Sequence, residues 1–389
     1  MGKNSKNYKN FFFLKSLNNN TSFLFGILFS LLILYLVTFV SSSDKNFEEL
    51  ALGQDTKSIF GEFEDQKIHC HDLTDYQECL SDYSMFGGSK PIILWLGNSQ
   101  LHSINDYKEG QETASMILFS LAKEKNYYLL TLSQPNANLQ EHFIILSHLV
   151  KKLPIKYLIL PVVFDDLRED DIRDSLQDIF LDEVSLKIIN KSEIGKNLII
   201  SNIKSDNSGN ESNKSKTSLQ ESSESLLNKK FEKNWLLWSK RSNLRGELFN
   251  NLHKIRNFVF NIGPTTTRKI LPGQYKKNLL SLNSLLKISN DNDIKTFMYI
   301  VPIRNDVKIP YNVFEYDKFK KDIKKISIIK DIKFKNLEHL IPNTMWGKNQ
   351  PTSLGKKNQI DFMHFKFDGH KILANSIFSE ITKIWDLNR

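Results

Sequence analysis

Cysteine is scarce, with two residues in 389, and that excludes a disulfide-dense scaffold. Sixteen glycines and ten prolines without a fixed period exclude collagen-like repetition. No unit recurs along the chain. There is no glycine-rich phosphate loop and no histidine–cysteine spacing of the zinc type. A single long apolar run excludes a multi-span transporter. What is present is the composition of a folded chain, 40% hydrophobic and 25% charged, which argues against wholesale disorder. Fifty-three Lys and Arg stand against 44 Asp and Glu, a net charge of +9.

The apolar run is Phe23–Val40, FLFGILFSLLILYLVTFV, long enough to span a bilayer as a helix. Lys3, Lys6, Lys9 and Lys15 precede it with no acid among them, and Asp44, Lys45, Glu48 and Glu49 follow. The positive-inside rule then makes 1–22 a cytoplasmic tail, 23–40 a transmembrane signal anchor and the remainder an exported, single-pass domain at a plasma or inner membrane. The alternative is a signal peptide cleaved near Val40-Ser41-Ser42-Ser43. Removing the four tail lysines leaves the rest of the chain at +5. The sequence is also rich in Lys, Asn, Ile and Phe, which AT-rich codons favour. The basic charge therefore reflects topology and composition, and nucleic acid is not an expected partner.

Cys70 and Cys79 lie nine positions apart in HCHDLTDYQEC. In an oxidising compartment they close a short loop, worth about 2.5–3 kcal/mol in the chain-entropy model. Two free thiols, or a metal site using His69 and His71, are the alternatives.

Residues 41–90 read as a polar stalk. Beyond it strand and helix alternate. Pro91–Leu96, Tyr127–Leu132, Ile155–Val163 and Ile294–Pro302 are apolar strands, and 112–125, 139–153, 314–326 and 369–385 are helices, with a further short strand at 337–341. This predicts an α/β fold with a flavodoxin-like doubly wound parallel sheet over 91–389. An insertion at about 168–290 interrupts it. Within the insertion, 201–225 reads as a disordered linker. The Trp235-containing segment 226–260 packs on the core or contacts a membrane or partner. In such sheets the ligand crevice lies at the carboxyl ends of the strands, which here carry Ser99, Asn136 and Asp165.

Ser99 follows the first strand within Gly-Asn-Ser, and Asp361-Phe362-Met363-His364 precedes the last helix. A serine hydroxyl needs a base to become a nucleophile, and the base needs a carboxylate to fix its tautomer. The informative feature is the joint placement of the two short patterns. WLGNSQLHSI resembles the first block of the SGNH (GDSL-like) hydrolase superfamily, with Asn98 where an Asp is usual. DFMHFKFDGHKILANSIF resembles its last block. The resemblance implies Ser99 as nucleophile, His364 as base and Asp361 as the orienting carboxylate, with no cofactor and no metal. It covers 91–389, with 170–290 unmatched.

Two middle blocks depart from the pattern. Asn136 in SQPNANLQE stands at the oxyanion-binding Gly, and Asp165 in PVVFDDLRE stands at the oxyanion-binding Asn, where an ionised carboxylate cannot donate. Either Asp165 is protonated, or another donor such as Asn136 or Asn138 takes over. Arg304, after the fourth strand, is read as a substrate anchor or an ordinary ion pair. His102, one turn beyond Ser99, lines the site or is solvated, and His370 is read as lying on the exposed face of the last helix. The anchor, the exported domain and the span from Tyr299 through Tyr311 and Tyr316 to His364 are similar in layout to D-alanine transfer proteins of teichoic acid systems and to alginate O-acetylation proteins. That likeness implies an ester- or hydroxyl-bearing envelope glycan as substrate and a multi-span membrane O-acyltransferase as partner. The expectation is a serine acyl hydrolase or O-acyltransferase; a catalytically weak scaffold of the same fold is the alternative.

Overall fold

In the computed structural model, the structure describes residues 56–71, 75–209, 255–260, 266–349 and 359–385, with isolated positions elsewhere. The chain divides into two compact units, 1–50 with 212–253 and 51–211 with 254–389. Nearly all of the first lies outside the described residues, including most of the expected anchor, the linker beyond Gly209 and most of 226–260. Gly26, Leu28, Phe29, Ser30 and Leu32 are helical. Among the described residues no helix is long and apolar enough to cross a membrane.

The second unit opens with four short strands, β1 (Thr56–Ser58), β2 (Glu62–Phe63), β3 (Gln66–Lys67) and β4 (His69–Cys70). Helix α1 (Tyr76–Asp82) and a π-helical turn follow. Then come β5 (Ile92–Gly97), the single turn α2 (Ser99–His102), β6 (Ser103–Asn105), α3 (Ala114–Glu124), β7 (Tyr128–Ser133), α4 (Leu139–Leu149) and β8 (Ile155–Val162). After two 3-10 turns the chain forms α5 (Glu183–Ile189), α6 (Glu193–Gly209), α7 (Pro272–Asp291), β9 (Lys295–Ile300), α8 (Val313–Ile329), β10 (Lys333–Asn336), β11 (Trp346–Asn349), β12 (Gln359–Phe365) and α9 (Phe367–Trp385).

Six strands form one sheet in the order β10-β9-β8-β5-β7-β4, with every neighbouring pair parallel. Leaving aside the edge strand β4, this is the flavodoxin-like order 2-1-3-4-5, whose switch point falls between β5 and β8. All six residues of β5 and of β7 are buried, as expected of a parallel sheet clothed on both faces. Helix α3 packs on α9 and α4 packs on α7. Every residue of α4 is buried, and a capping box fixes its start, Asn138 accepting from the Glu141 N–H and Glu141 accepting from the Asn138 N–H. In α9 the buried residues Leu373, Ala374, Ile377, Ile381 and Trp385 follow helical spacing, and Trp385 stacks on Tyr157 at 4.3 Å. A Cβ on Gly97 would lie 2.3 Å from Leu101 Cδ1, so the buried Leu101 of α2 packs in the space that a side chain at 97 would take.

Three sequence expectations are corrected. Residues 56–71 and 75–90 belong to the folded unit rather than to a stalk. They are polar because β1 to β4 are short and peripheral, yet Ile68, Cys70, Tyr76 and Cys79 reach the core. The insertion is shorter than 168–290, because α7 is a sheet-covering helix with Leu282, Leu285, Leu286 and Ser289 on its buried stripe. The short strand expected at 337–341 lies at Lys333–Asn336, where alternating charges mark an exposed edge.

Candidate functional site

Ser99 begins α2 directly beyond the carboxyl end of β5. Asn98 is the N-cap, its side chain accepting from the Gln100 N–H at 3.1 Å. Ser99 Oγ lies 2.9 Å from His364 Nε2, and His364 Nδ1 lies 3.0 Å from Asp361 Oδ2. Asp361 is buried, and its Oδ1 also accepts the N–H groups of Met363 and His364, each at 2.9 Å. Its Oδ2 receives the Asn105 amide at 3.1 Å. Burial pushes the Asp361 carboxyl up, but His364 and the two backbone bonds outweigh it and hold the pKa below the usual value. An ionised Asp361 accepts from Nδ1–H, so the lone pair of Nε2 faces the serine hydroxyl. The pair sits on β12 rather than on a loop. Gln100 ties this strand to the sheet by donating to the carbonyls of Pro302 and Met363, both at 2.9 Å.

Beside Ser99, at the carboxyl end of β8, stand Asp165 and Asp166. Asp166 is buried, accepts from the Asn98 amide at 3.4 Å and from the Val163 N–H at 3.3 Å, and burial raises its pKa well above the ordinary range. Asp165 accepts from Arg168 at 3.1 Å, from the Tyr311 hydroxyl at 2.9 Å and from Arg268.

Behind the serine lies a histidine group. Ser133 Oγ is 2.6 Å from His69 Nε2 and 2.7 Å from His102 Nδ1. Phe60 stacks on His102 and meets His69 edge-on. Burial lowers the pKa of His69 to about 3 and that of His102 well below its ordinary value.

No family model matches this chain, and no curated protein does. Among solved structures it is similar to the crystal structure of a "putative acylhydrolase" from Bacteroides fragilis, at 10% identity and a TM-score of 0.34, over 78% of this chain and 96% of that one. A likeness that slight carries no argument. The reading therefore rests on the sheet order and the side-chain geometry.

The structure brings Ser99, His364 and Asp361 into one hydrogen-bonded series, which none of the other expected residues joins. Asn138 is spent on its helix, its amide donating to the Asp171 carbonyl at 2.9 Å. Asp165 is a held acceptor and offers no proton donor. Asn136 has φ +52°, the left-handed conformation that favours glycine, and its side chain is exposed. The N–H groups of Ser99 and Asn136 make no hydrogen bond among the described residues. Arg304 is paired, Nε and Nη2 to Asp306 at 2.6 and 3.0 Å and Nη1 to the Gly347 carbonyl at 3.0 Å. His102 and His370 are buried rather than solvated; His370 Nδ1 accepts the Ala114 N–H at 3.1 Å and Nε2 faces the Ser103 carbonyl at 3.1 Å. Cys70 and Cys79 form a disulfide with Cα atoms 6.5 Å apart, and no metal-holding group exists among the described residues. Sequence reasoning missed Asn105, Asp166, Arg268 and Tyr311. Asp166 was signalled by the acidic doublet after β8, whereas Arg268 lies in a segment without any motif.

Proposed function

We propose that this protein is a serine acyl hydrolase or O-acyltransferase of the SGNH type. The observation that carries this reading is the hydrogen-bonded series Ser99–His364–Asp361 at the carboxyl end of a parallel sheet. Ser99 Oγ attacks an ester carbonyl carbon while His364 Nε2 takes its proton, and Asp361 stabilises the resulting imidazolium. The N–H groups of Ser99 and Asn136 receive the oxyanion. The leaving alcohol departs with the proton from His364. Water or a sugar hydroxyl then takes the acyl group from Ser99.

The substrate we propose is an envelope glycan, modified outside a membrane to which residues 23–40 anchor the chain, beside a multi-span acyltransferase. The anchor-like run and the Cys70–Cys79 disulfide support an exported setting. The state of Asp165, held as an acceptor, favours a second reading in which the fold serves as a catalytically weak partner in polymer modification. A fluorophosphonate probe separates the two. Labelling of the wild type that disappears in Ser99→Ala and weakens in His364→Ala supports chemistry. Absence of labelling in folded wild-type protein supports the partner role.

A further inference from the structure

We infer that Arg268 is a specificity-determining residue that binds an anionic group on the ester substrate, an inference that rests on the acyl-transfer reading above. The backbone of Arg268 is fixed against the segment before α8. Its N–H donates to the Pro310 carbonyl at 2.7 Å and its carbonyl accepts the Asn312 N–H at 3.1 Å. Asp165 holds one edge of the guanidinium through Nη1, and the Phe362 ring lies beneath it, 5.3 Å from Cζ to the ring centroid. Nε and Nη2 have no partner among the described residues, and the side chain is 35% exposed. Arg304 shows the contrasting case, in which both edges are used by Asp306 and Gly347.

The surroundings of the guanidinium and its position point the same way. Asp165 lies between two guanidiniums, so one carboxylate faces two cations. Glu169 stands within electrostatic reach of both but bonds to neither, and burial followed by Asp165 raises its pKa. Glu169 therefore leaves the open edge of the Arg268 guanidinium unoccupied. Asp165 adjoins Asp166, which bonds to the neighbour of Ser99, and Phe362 lies two residues before His364. A guanidinium fixed on one edge and open on the other is preorganised for a carboxylate or a phosphate. Here it would meet such a group beside the scissile ester.

The test uses two p-nitrophenyl esters of matched chain, the neutral butyrate and the anionic hemisuccinate. The ratio of kcat/KM for hemisuccinate over butyrate is expected to fall at least tenfold from wild type to Arg268→Gln, with Arg268→Lys between them and circular dichroism unchanged. An equal ratio in wild type and Arg268→Gln, in protein whose Ser99 labels with the fluorophosphonate, overturns the inference. Calorimetric titration of Ser99→Ala with succinate, and separately with inorganic phosphate, is independent of turnover. Binding weakened at least tenfold by Arg268→Gln supports the site and shows which anion it takes; binding of neither anion, or binding indifferent to Arg268, overturns it. Wild type that fails to label while succinate binding still depends on Arg268 would sink the acyl-transfer reading and leave the anion site standing.

Discussion

At the scale of single residues, Asp361 is the most constrained group in the site, since its two oxygens receive four hydrogen bonds. Asp361→Asn keeps the shape but presents an amide to Nδ1, which favours the wrong imidazole tautomer. It is expected to lower the rate of ester turnover by about 10⁴-fold, measured under substrate saturation with an activated ester. The three central residues were readable from sequence because each sits in a short motif beside a strand end or a final helix. Asn136 was readable as a candidate oxyanion donor but not separable from its rivals, because the residue types at 138 and 165 do not reveal which groups are spent elsewhere. Asn138 is consumed by a helix cap and Asp165 by two arginines. His370 was misread for a different reason. It lies in line with Leu373, Ala374 and Ile377 on the buried stripe of α9, so helical spacing rather than the polarity of histidine sets its burial.

At the scale of elements, β4 and α1 are joined by the Cys70–Cys79 bridge. The double variant Cys70→Ala/Cys79→Ala is expected to lose about 2.5–3 kcal/mol, which corresponds to a fall in Tm of roughly 5–10 °C by calorimetry. Helix α7 was hidden from the sequence reading by its mixed polarity. Its buried leucines alternate with Lys276, Lys277, Asn283 and Lys287, and it follows a long unmatched stretch. Leu285 is fully buried, so Leu285→Ala is expected to cost about 2–5 kcal/mol in denaturant unfolding. The same change at Leu280, 44% exposed on the same helix, should cost far less. The parallel strands were legible because β5, β7, β8 and β9 are continuous apolar runs. The edge strand β4 was not, and β10 was expected four residues too late, since strands of two to four residues are too short to show a period.

At the scale of the whole molecule, buried neutral histidines govern the response to acid. His69, His142 and His370 have pKa values pushed down to about 3, chiefly by burial. A histidine with a depressed folded pKa binds protons more readily when unfolded. Its contribution to stability is therefore intact above the unfolded value of about 6.5 and declines as pH falls below it, by about 1.4 kcal/mol per unit until the folded value is reached. His142 lies in the fully buried helix α4, and neither ring nitrogen has a hydrogen-bond partner. His142→Leu is thus expected to raise stability by about 2 kcal/mol more at pH 5 than at pH 7.5. Urea titrations at the two pH values would show it, and an equal effect at both would refute the assignment. The doubly wound parallel architecture followed from sequence alternation, whereas its edge strand β4 and the limits of the insertion did not, because two residues show no alternation and composition cannot separate a surface helix from a covering one.

The serine held between His69 and His102 has one hydroxyl hydrogen for two rings. Among the described residues it has no other partner, so one imidazole donates a hydrogen bond to its oxygen and the other accepts one from its hydroxyl. The tautomers of His69 and His102 are therefore anticorrelated. Whichever arrangement prevails, the far side of one ring carries a hydrogen and the far side of the other a lone pair. A change that fixes either imidazole fixes both, from the disulfide-bearing edge strand to the turn that holds Ser99.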